Sequence, residues 1–286
     1  MTITITTSNV NGIRAAKRKG IEQWAAKNTP DVWCMQEVRA PQNEIDPIFV
    51  EFGFEYATAG RIADQSGLDR MNEICRIKGR AGVGLLSALP VIDKRYGLPG
   101  LAEDVDSGRW IEADVKTPQG YTVTVVCVYV HAGNTDDPEK MKQKYRFLDT
   151  MLVRMGQLRD EAAHGGRQAV LCGDFNIAHT PLDIKNAKAN EKHAGFLPEE
   201  RAYVDKWLGE LEFVDVMRSL CGDIQGPYTW WSQRGRAFDN NVGWRIDYQF
   251  ATPELAETAR GFVIDKAPTY DLRWSDHAPL SITYDV

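Results

Sequence analysis

The 286-residue chain reads as an α/β protein built on mixed sheets, and two patterns predict this. Short apolar runs of strand type alternate with segments of helical periodicity from one end to the other. Two of those runs, 109–115 and 121–130, flank Pro118-Gln119-Gly120, a turn that closes a hairpin and pairs its arms antiparallel. A hairpin inside a strand–helix alternation excludes a purely parallel sheet. No repeat, low-complexity tract or Gly/Ser/Pro linker divides the chain, so residues 1–286 read as one domain.

Taken in order, residues 2–8 alternate apolar and polar side chains as a strand does, and 12–27 follow as a helix opened by Asn11-Gly12. Residues 31–37, after Pro30, form a short apolar run expected of a buried strand. The segment 60–80 is polar, irregular and rich in arginine, and is expected to be a long surface loop. Further strands are expected at 82–87, 109–115, 121–130, 168–173, 245–251 and 279–285, and helices at 138–161, 198–209 and 253–259.

Composition narrows the function classes. An apolar content of 43% supports a substantial core, and no run approaches the eighteen or so apolar residues of a membrane span. The alternating N-terminus lacks a basic leader and an apolar h-region, so it reads as a strand and not a signal peptide. Five cysteines, widely spaced and without a CxxC pair, fit reduced buried thiols and a cytoplasmic location. A net charge of −6 argues against a protein that coats nucleic acid, yet a carboxylate-rich metal site beside a basic groove stays compatible with it.

Polar residues recur where the apolar runs end, at Asn9, Gln36-Glu37, Tyr129, Gly173-Asp174-Phe175-Asn176, Arg245-Ile246-Asp247 and Ser275-Asp276-His277. Strand ends can converge on one rim. So many carboxylates gathered there must face water, a cation or each other, because burying them alone is prohibitively costly. The oxygen donors Asn9, Glu37, Asp174, Asn176 and Asp276 suit hard Mg²⁺ or Mn²⁺ better than zinc or copper. Singly, each has a plainer reading: Gly-Asp-Phe-Asn as an Asx turn, Glu37 as a surface residue, the tryptophans as core. No nucleophile elbow is present, which disfavours covalent acyl or phosphoryl chemistry.

The blocks Asn9-Val10-Asn11-Gly12-Ile13-Arg14, Met35-Gln36-Glu37, Gly173-Asp174-Phe175-Asn176-Ile177-Ala178-His179, Asn241 to Tyr248 and Ser275-Asp276-His277-Ala278-Pro279 occur in order along the chain. With Asp183, Asn186, Asn190 and Ala194-Gly195-Phe196, this series resembles the exonuclease III/AP endonuclease family. The resemblance implies a four-layer α-β-β-α sandwich with two packed mixed β-sheets, of the DNase I-like type. It implies metal-dependent hydrolysis of double-stranded DNA 5′ to abasic sites and 3′→5′ trimming of 3′ ends, by a monomer using Mg²⁺, with Mn²⁺ as a substitute.

By the same resemblance, Glu37 and Asn9 hold the metal, with Asp276 a further contributor. Asp174 deprotonates the attacking water, Asn176 orients it, and Asp247 orients a His277 that donates to the scissile phosphate. Tyr129 gives its hydroxyl to the phosphate or leaving group. Trp230, Trp244 and Ile246 wall a pocket for an extruded abasic sugar, and Asn186, Asn190 and Arg14 contact DNA. Three departures stand out: His131 where Tyr-x-Pro is usual, His193 where Asn is common, and a longer 60–80 segment. From that segment Arg61, Arg70, Arg76, Lys78 and Arg80 are expected to reach the DNA backbone. The competing readings are a sister enzyme of the same sandwich acting on phosphoinositides, sphingomyelin or RNA ends, and a binding protein that lost its chemistry.

Overall fold

The computed structural model describes residues 1–63, 67–101 and 107–286. Strand β1 (Thr2–Asn9) alternates its side chains between two buried faces, and β2 (Val32–Gln36) pairs with it in parallel. Around them a six-stranded sheet forms in the order β13 (Ala259–Ile264), β14 (Leu280–Asp285), β1, β2, β4 (Val83–Ser87), β3 (Asp69–Glu73). The second six-stranded sheet runs β5 (Val91–Tyr96), β6 (Trp110–Lys116), β7 (Thr122–Tyr129), β8 (Gln168–Asp174), β12 (Asp247–Ala251), β9 (Val214–Asp215). Its β6–β7 hairpin is antiparallel as expected, while β7 and β8 are parallel. A short ribbon of β10 (Trp230–Trp231) and β11 (Gly243–Trp244) stands apart.

The alternation along single strands assigns the layers. In β2, Val32 and Cys34 join a core shared with Val125, Cys127 and Cys172 of the other sheet. Their neighbours Trp33 and Met35 turn the other way, onto Phe49 and Phe52 of helix α3 (Gln42–Thr58) and onto α1 (Ile13–Arg18) and α2 (Ile21–Asn28). In β7, Val126 and Val128 pack toward Phe147 and Met151 of α4 (Pro138–Gly165) and Trp207 of α6 (Pro198–Gly209). Helices, sheet, sheet and helices make the four layers, with apolar faces meeting at each boundary. Among the described residues no helix is long and apolar enough to cross a membrane.

Local expectations fail where one residue outweighs a pattern. The helix expected over 12–27 is two helices, because Gly20 at φ 96° turns the chain between them. Helix α3 escaped notice because it carries Pro47 inside it. The helix expected at 253–259 is a single turn, Pro253–Ala256, after which the chain enters β13. The segment 60–80 is not one irregular loop: β3 lies within it, hydrogen-bonded to β4 at the sheet edge, while 64–66 fall outside the described residues. The polar edge strand β5 carried no apolar run to reveal it.

Topology brings the polar strand ends to one rim. Asn9 and Gln36 are neighbours across β1–β2, and Tyr129 and Asp174 across β7–β8. Because β12 runs antiparallel to β8, its first residue, Asp247, faces Asp174, the last of β8.

Candidate active site

Asp174 is the centre of the arrangement. Its Oδ1 accepts the Asn176 N–H (2.9 Å), and its Oδ2 accepts Asn9 Nδ2 (2.9 Å) and Asn176 Nδ2 (3.3 Å). Asn176 adopts φ 50°, and this left-handed backbone folds its amide back onto the carboxylate. Asp174 is 1% exposed, and burial pushes its carboxyl up to about 7, with Asp247 and Glu37 adding to the rise and His277 opposing it.

His277 and Asp247 form a buried pair, Nδ1 to Oδ2 at 2.8 Å. Burial by itself would lower the imidazole, but Asp247, Asp174 and Asp276 outweigh it and hold His277 at about 10, so the ring is protonated at neutral pH. Its Nε2 looks toward Asp174 Oδ2 at 3.8 Å. Thr229 Oγ1 accepts the N–H groups of Ile246 and Asp247, both at 3.2 Å, and Ser275 Oγ ties the His277 N–H to the Asn9 carbonyl.

Glu37 sits just past β2 at φ 53°. Its Oε1 accepts the Tyr129 hydroxyl (2.7 Å) and Asn9 Nδ2 (3.0 Å), while its buried Oε2 is ion-paired with the Arg39 guanidinium. The Asn9 oxygen accepts the Asn11 N–H (2.9 Å), so its NH₂, not its oxygen, faces the carboxylates. Asn9 therefore bridges Glu37 and Asp174 through its NH₂. The Tyr129 hydroxyl donates to Glu37 and so braces that carboxylate.

Asp276 accepts Asn11 Nδ2 (2.7 Å) and Trp230 Nε1 (3.2 Å); burial would raise it, and His277 with these donors keeps it below the usual carboxylate range. Trp230 and Trp244 face each other across the β10–β11 ribbon, edge to face at 6.0 Å. With Ile246 they wall a cavity of about 420 Å³ into which Glu37, Asp174, Asn176, Asp276 and His277 also open. Asn190 and His193 line it as well. Arg14 and Asn186 do not: Arg14 is turned to Glu44 of α3 (2.9 Å), and Asn186 starts α5 (Ala187–Asn190), its carbonyl accepting Asn190 Nδ2. Sequence reading gave no role to Arg39, Asn11, Thr229 and Ser275, although Asn11 and Ser275 lie inside two of its blocks. Arg39 also left a signal, as a cation two residues after Glu37.

A hard divalent cation fits this donor set. Glu37 Oε2 is buried with a cation, the Arg39 guanidinium, as its partner, and Asp276 supplies further negative charge to the same cavity. Asp174, Asp247 and His277 also offer ligand atoms within 4.8 Å of one another.

Known proteins share this architecture. The sequence profile of the endonuclease/exonuclease/phosphatase family matches residues 6–277. An exodeoxyribonuclease of Bacillus subtilis (strain 168) is 29% identical over 281 residues, spanning 97% of this chain and 98% of the relative. The solved structure of an AP endonuclease from Archaeoglobus fulgidus aligns with a TM-score of 0.81 at 29% identity, covering 99% of this chain and 100% of that one. A 3′ phosphatase from Neisseria, bound to a product DNA hairpin, aligns with a TM-score of 0.81 at 26% identity, covering 99% and 100%. With nearly its whole length matched by the profile, the chain belongs to the endonuclease/exonuclease/phosphatase family.

Proposed function

We propose that this protein is a DNA repair nuclease that hydrolyses phosphodiesters 5′ to abasic sites in double-stranded DNA, leaving a 3′-hydroxyl, and trims blocked or unblocked 3′ ends. The observation that carries the reading is the opposition of Asp174 and the protonated His277 across a 3.8 Å gap, beside a cavity walled by two tryptophans. A carboxylate poised near neutrality can take a proton from water, and an imidazolium facing it can donate to a phosphate oxygen. Asn9 and Asn176 aim Asp174 through neutral N–H groups, which orient it without adding charge. Glu37, braced by Tyr129, and Asp276 would hold Mg²⁺, or Mn²⁺ in its place. When bound, the ion supplies Lewis-acid stabilisation of the charge developing on the phosphate.

Substrate choice follows from the walls. A narrow cavity between Trp230, Trp244 and Ile246 admits a sugar and excludes one that carries a base, and extrusion costs least where no base pair is lost. A second cavity of about 530 Å³ adjoins the first at Tyr129, Ala132 and Gly133, and Arg76, Arg80, Arg109, Lys140 and Arg146 line it. It supports DNA contact by Arg76 and Arg80; Arg61, by contrast, pairs with Asp31, and Arg70 lies in β3. His131 lines the same cavity, and burial with Arg109 and Lys144 nearby lowers it to about 3, so it enters as a neutral ring.

We read the chain as one catalytic domain over residues 1–286, acting as a monomer in the cytoplasm, where a reducing environment suits its free, buried Cys34, Cys127 and Cys172. The test is a labelled duplex with one abasic analogue, incubated with the protein and Mg²⁺ or EDTA. Site-specific nicking that EDTA abolishes is the expected result. Cleavage of phosphoinositide, sphingomyelin or RNA ends with no nicking of this duplex would overturn the reading.

A further inference from the structure

Lys144 of α4 and Glu200 of α6 are both fully buried, Nζ to Oε1 at 2.6 Å. The helices do not need this pair for adhesion, since Phe147, Met151, Val204 and Trp207 already share an apolar core. Replacing a buried ion pair by apolar side chains is often neutral or stabilising, so such a pair calls for another reason. The remaining partners supply one. Lys144 Nζ donates to the carbonyls of Asn176 (2.9 Å) and Ala132 (3.2 Å). The second oxygen of Glu200 accepts the N–H groups of Gly195 (2.6 Å) and Leu197 (3.0 Å).

These backbone groups belong to the loops around the catalytic cavity. Asn176 holds both oxygens of Asp174, and Ala132 lines the cavity between Tyr129 and Gly133. Gly195, at φ 92°, is wedged between the Asn176 carbonyl and the Trp244 ring, and a Cβ there would come within 3.1 Å of each. The Gly195 carbonyl also accepts the Ala178 N–H at 2.8 Å.

We propose that Lys144 and Glu200 are positioning residues that hold the water-activating carboxylate and the tryptophan wall of the cavity in one fixed relation. Lys144 acts through the Asn176 carbonyl and Glu200 through Gly195. The roles of Asp174 and Trp244 in this statement rest on the nuclease reading above. A side chain that only glued two helices would have no reason to donate to the loop carrying Asn176.

Three variants test it: Lys144→Met, Glu200→Gln and the double change Lys144→Met/Glu200→Leu. The double variant leaves no lone buried charge, so its Tm is expected within a few degrees of the parent. Its kcat on the abasic duplex is nevertheless expected to fall at least about tenfold, with KM changing less than about threefold. Glu200→Gln keeps the volume and an acceptor; its discrimination between an abasic site and an intact nucleotide is expected to shrink severalfold, with kcat within about threefold. A double variant with parental Tm and parental kcat overturns the proposal. If neither Met variant folds, unchanged discrimination in Glu200→Gln overturns it alone. Amide exchange reads the same coupling without substrate: the Asn176 N–H, which Lys144 does not touch, should exchange at least about tenfold faster in the double variant. Should the parent fail to cut abasic DNA while this acceleration is seen, the nuclease reading falls and the coupling stands; equal exchange rates refute the coupling.

Discussion

His277 Nε2 stands 3.8 Å from Asp174 Oδ2. That is beyond hydrogen-bonding distance, yet close enough for a single water to accept from one and donate to the other. A charged donor and a carboxylate acceptor held apart like this, and both buried, act on whatever enters between them.

Asp174→Asn should test the acceptor half. An amide of the same shape keeps the hydrogen bond from Asn9 but cannot take a proton from water. Turnover should fall roughly a thousandfold while DNA affinity stays within about threefold. Single-turnover cleavage and fluorescence anisotropy measure the two separately. A variant that remains active but no longer binds DNA would show that Asp174 serves binding instead.

Asp247→Asn should test the donor half. Among the charges that raise His277, Asp247 is the largest, so the ring that titrates near 10 in the parent should titrate lower without it. Ring ¹⁵N shifts followed from pH 5 to 9 should show a constant imidazolium in the parent and a transition in the variant. Identical curves would mean that the pair does not set the charge.

The ion cluster behind the pocket should govern acid stability. Asp183 accepts from Arg245 Nε at 2.7 Å and from Arg218 at 2.5 Å, and these guanidinium groups overcome burial to hold its carboxyl at about 2 against an ordinary 3.8. A folded value below the unfolded one gives stability that is present above pH 3.8 and lost as pH falls through 2. The contribution is about 2 kcal/mol. Urea unfolding at pH 6, 4, 3 and 2 should show a parent that weakens over the last steps. Asp183→Asn should be weaker throughout and flatter in that range, and parallel curves would dissociate Asp183 from the acid response.

Arg76 and Arg80 should contribute to the salt dependence of DNA binding. Changing both to Gln should reduce the slope of log affinity against log salt by roughly one for each phosphate that is no longer neutralised. A slope equal to that of the parent would assign the second cavity to another ligand.

Much of this was legible in one dimension. The hairpin at Pro118-Gln119-Gly120 and helix α6 at 198–209 lie where local pattern puts them, because turn chemistry and periodicity are properties of neighbouring residues. The blocks ending in Glu37, Asp174, Asp247 and His277 were likewise readable, since each is a short polar word after an apolar run. What local pattern could not supply were the partners. Arg14 sits inside one of those blocks, yet it turns to Glu44 of a helix that Pro47 had concealed. Lys144 looks like one more lysine on a solvated helix until α6 brings Glu200 against it.

Residue order was enough to mark the polar groups that strand ends present, because residue type and period are written locally. Which hydrogen each group gives away was settled only in three dimensions. Packing turned the Asn9 amide toward two carboxylates, committed the Tyr129 hydroxyl to Glu37 and charged His277. Those outcomes depend on burial and on charges contributed by strands far apart in the chain, and neither exists until the two sheets have come together.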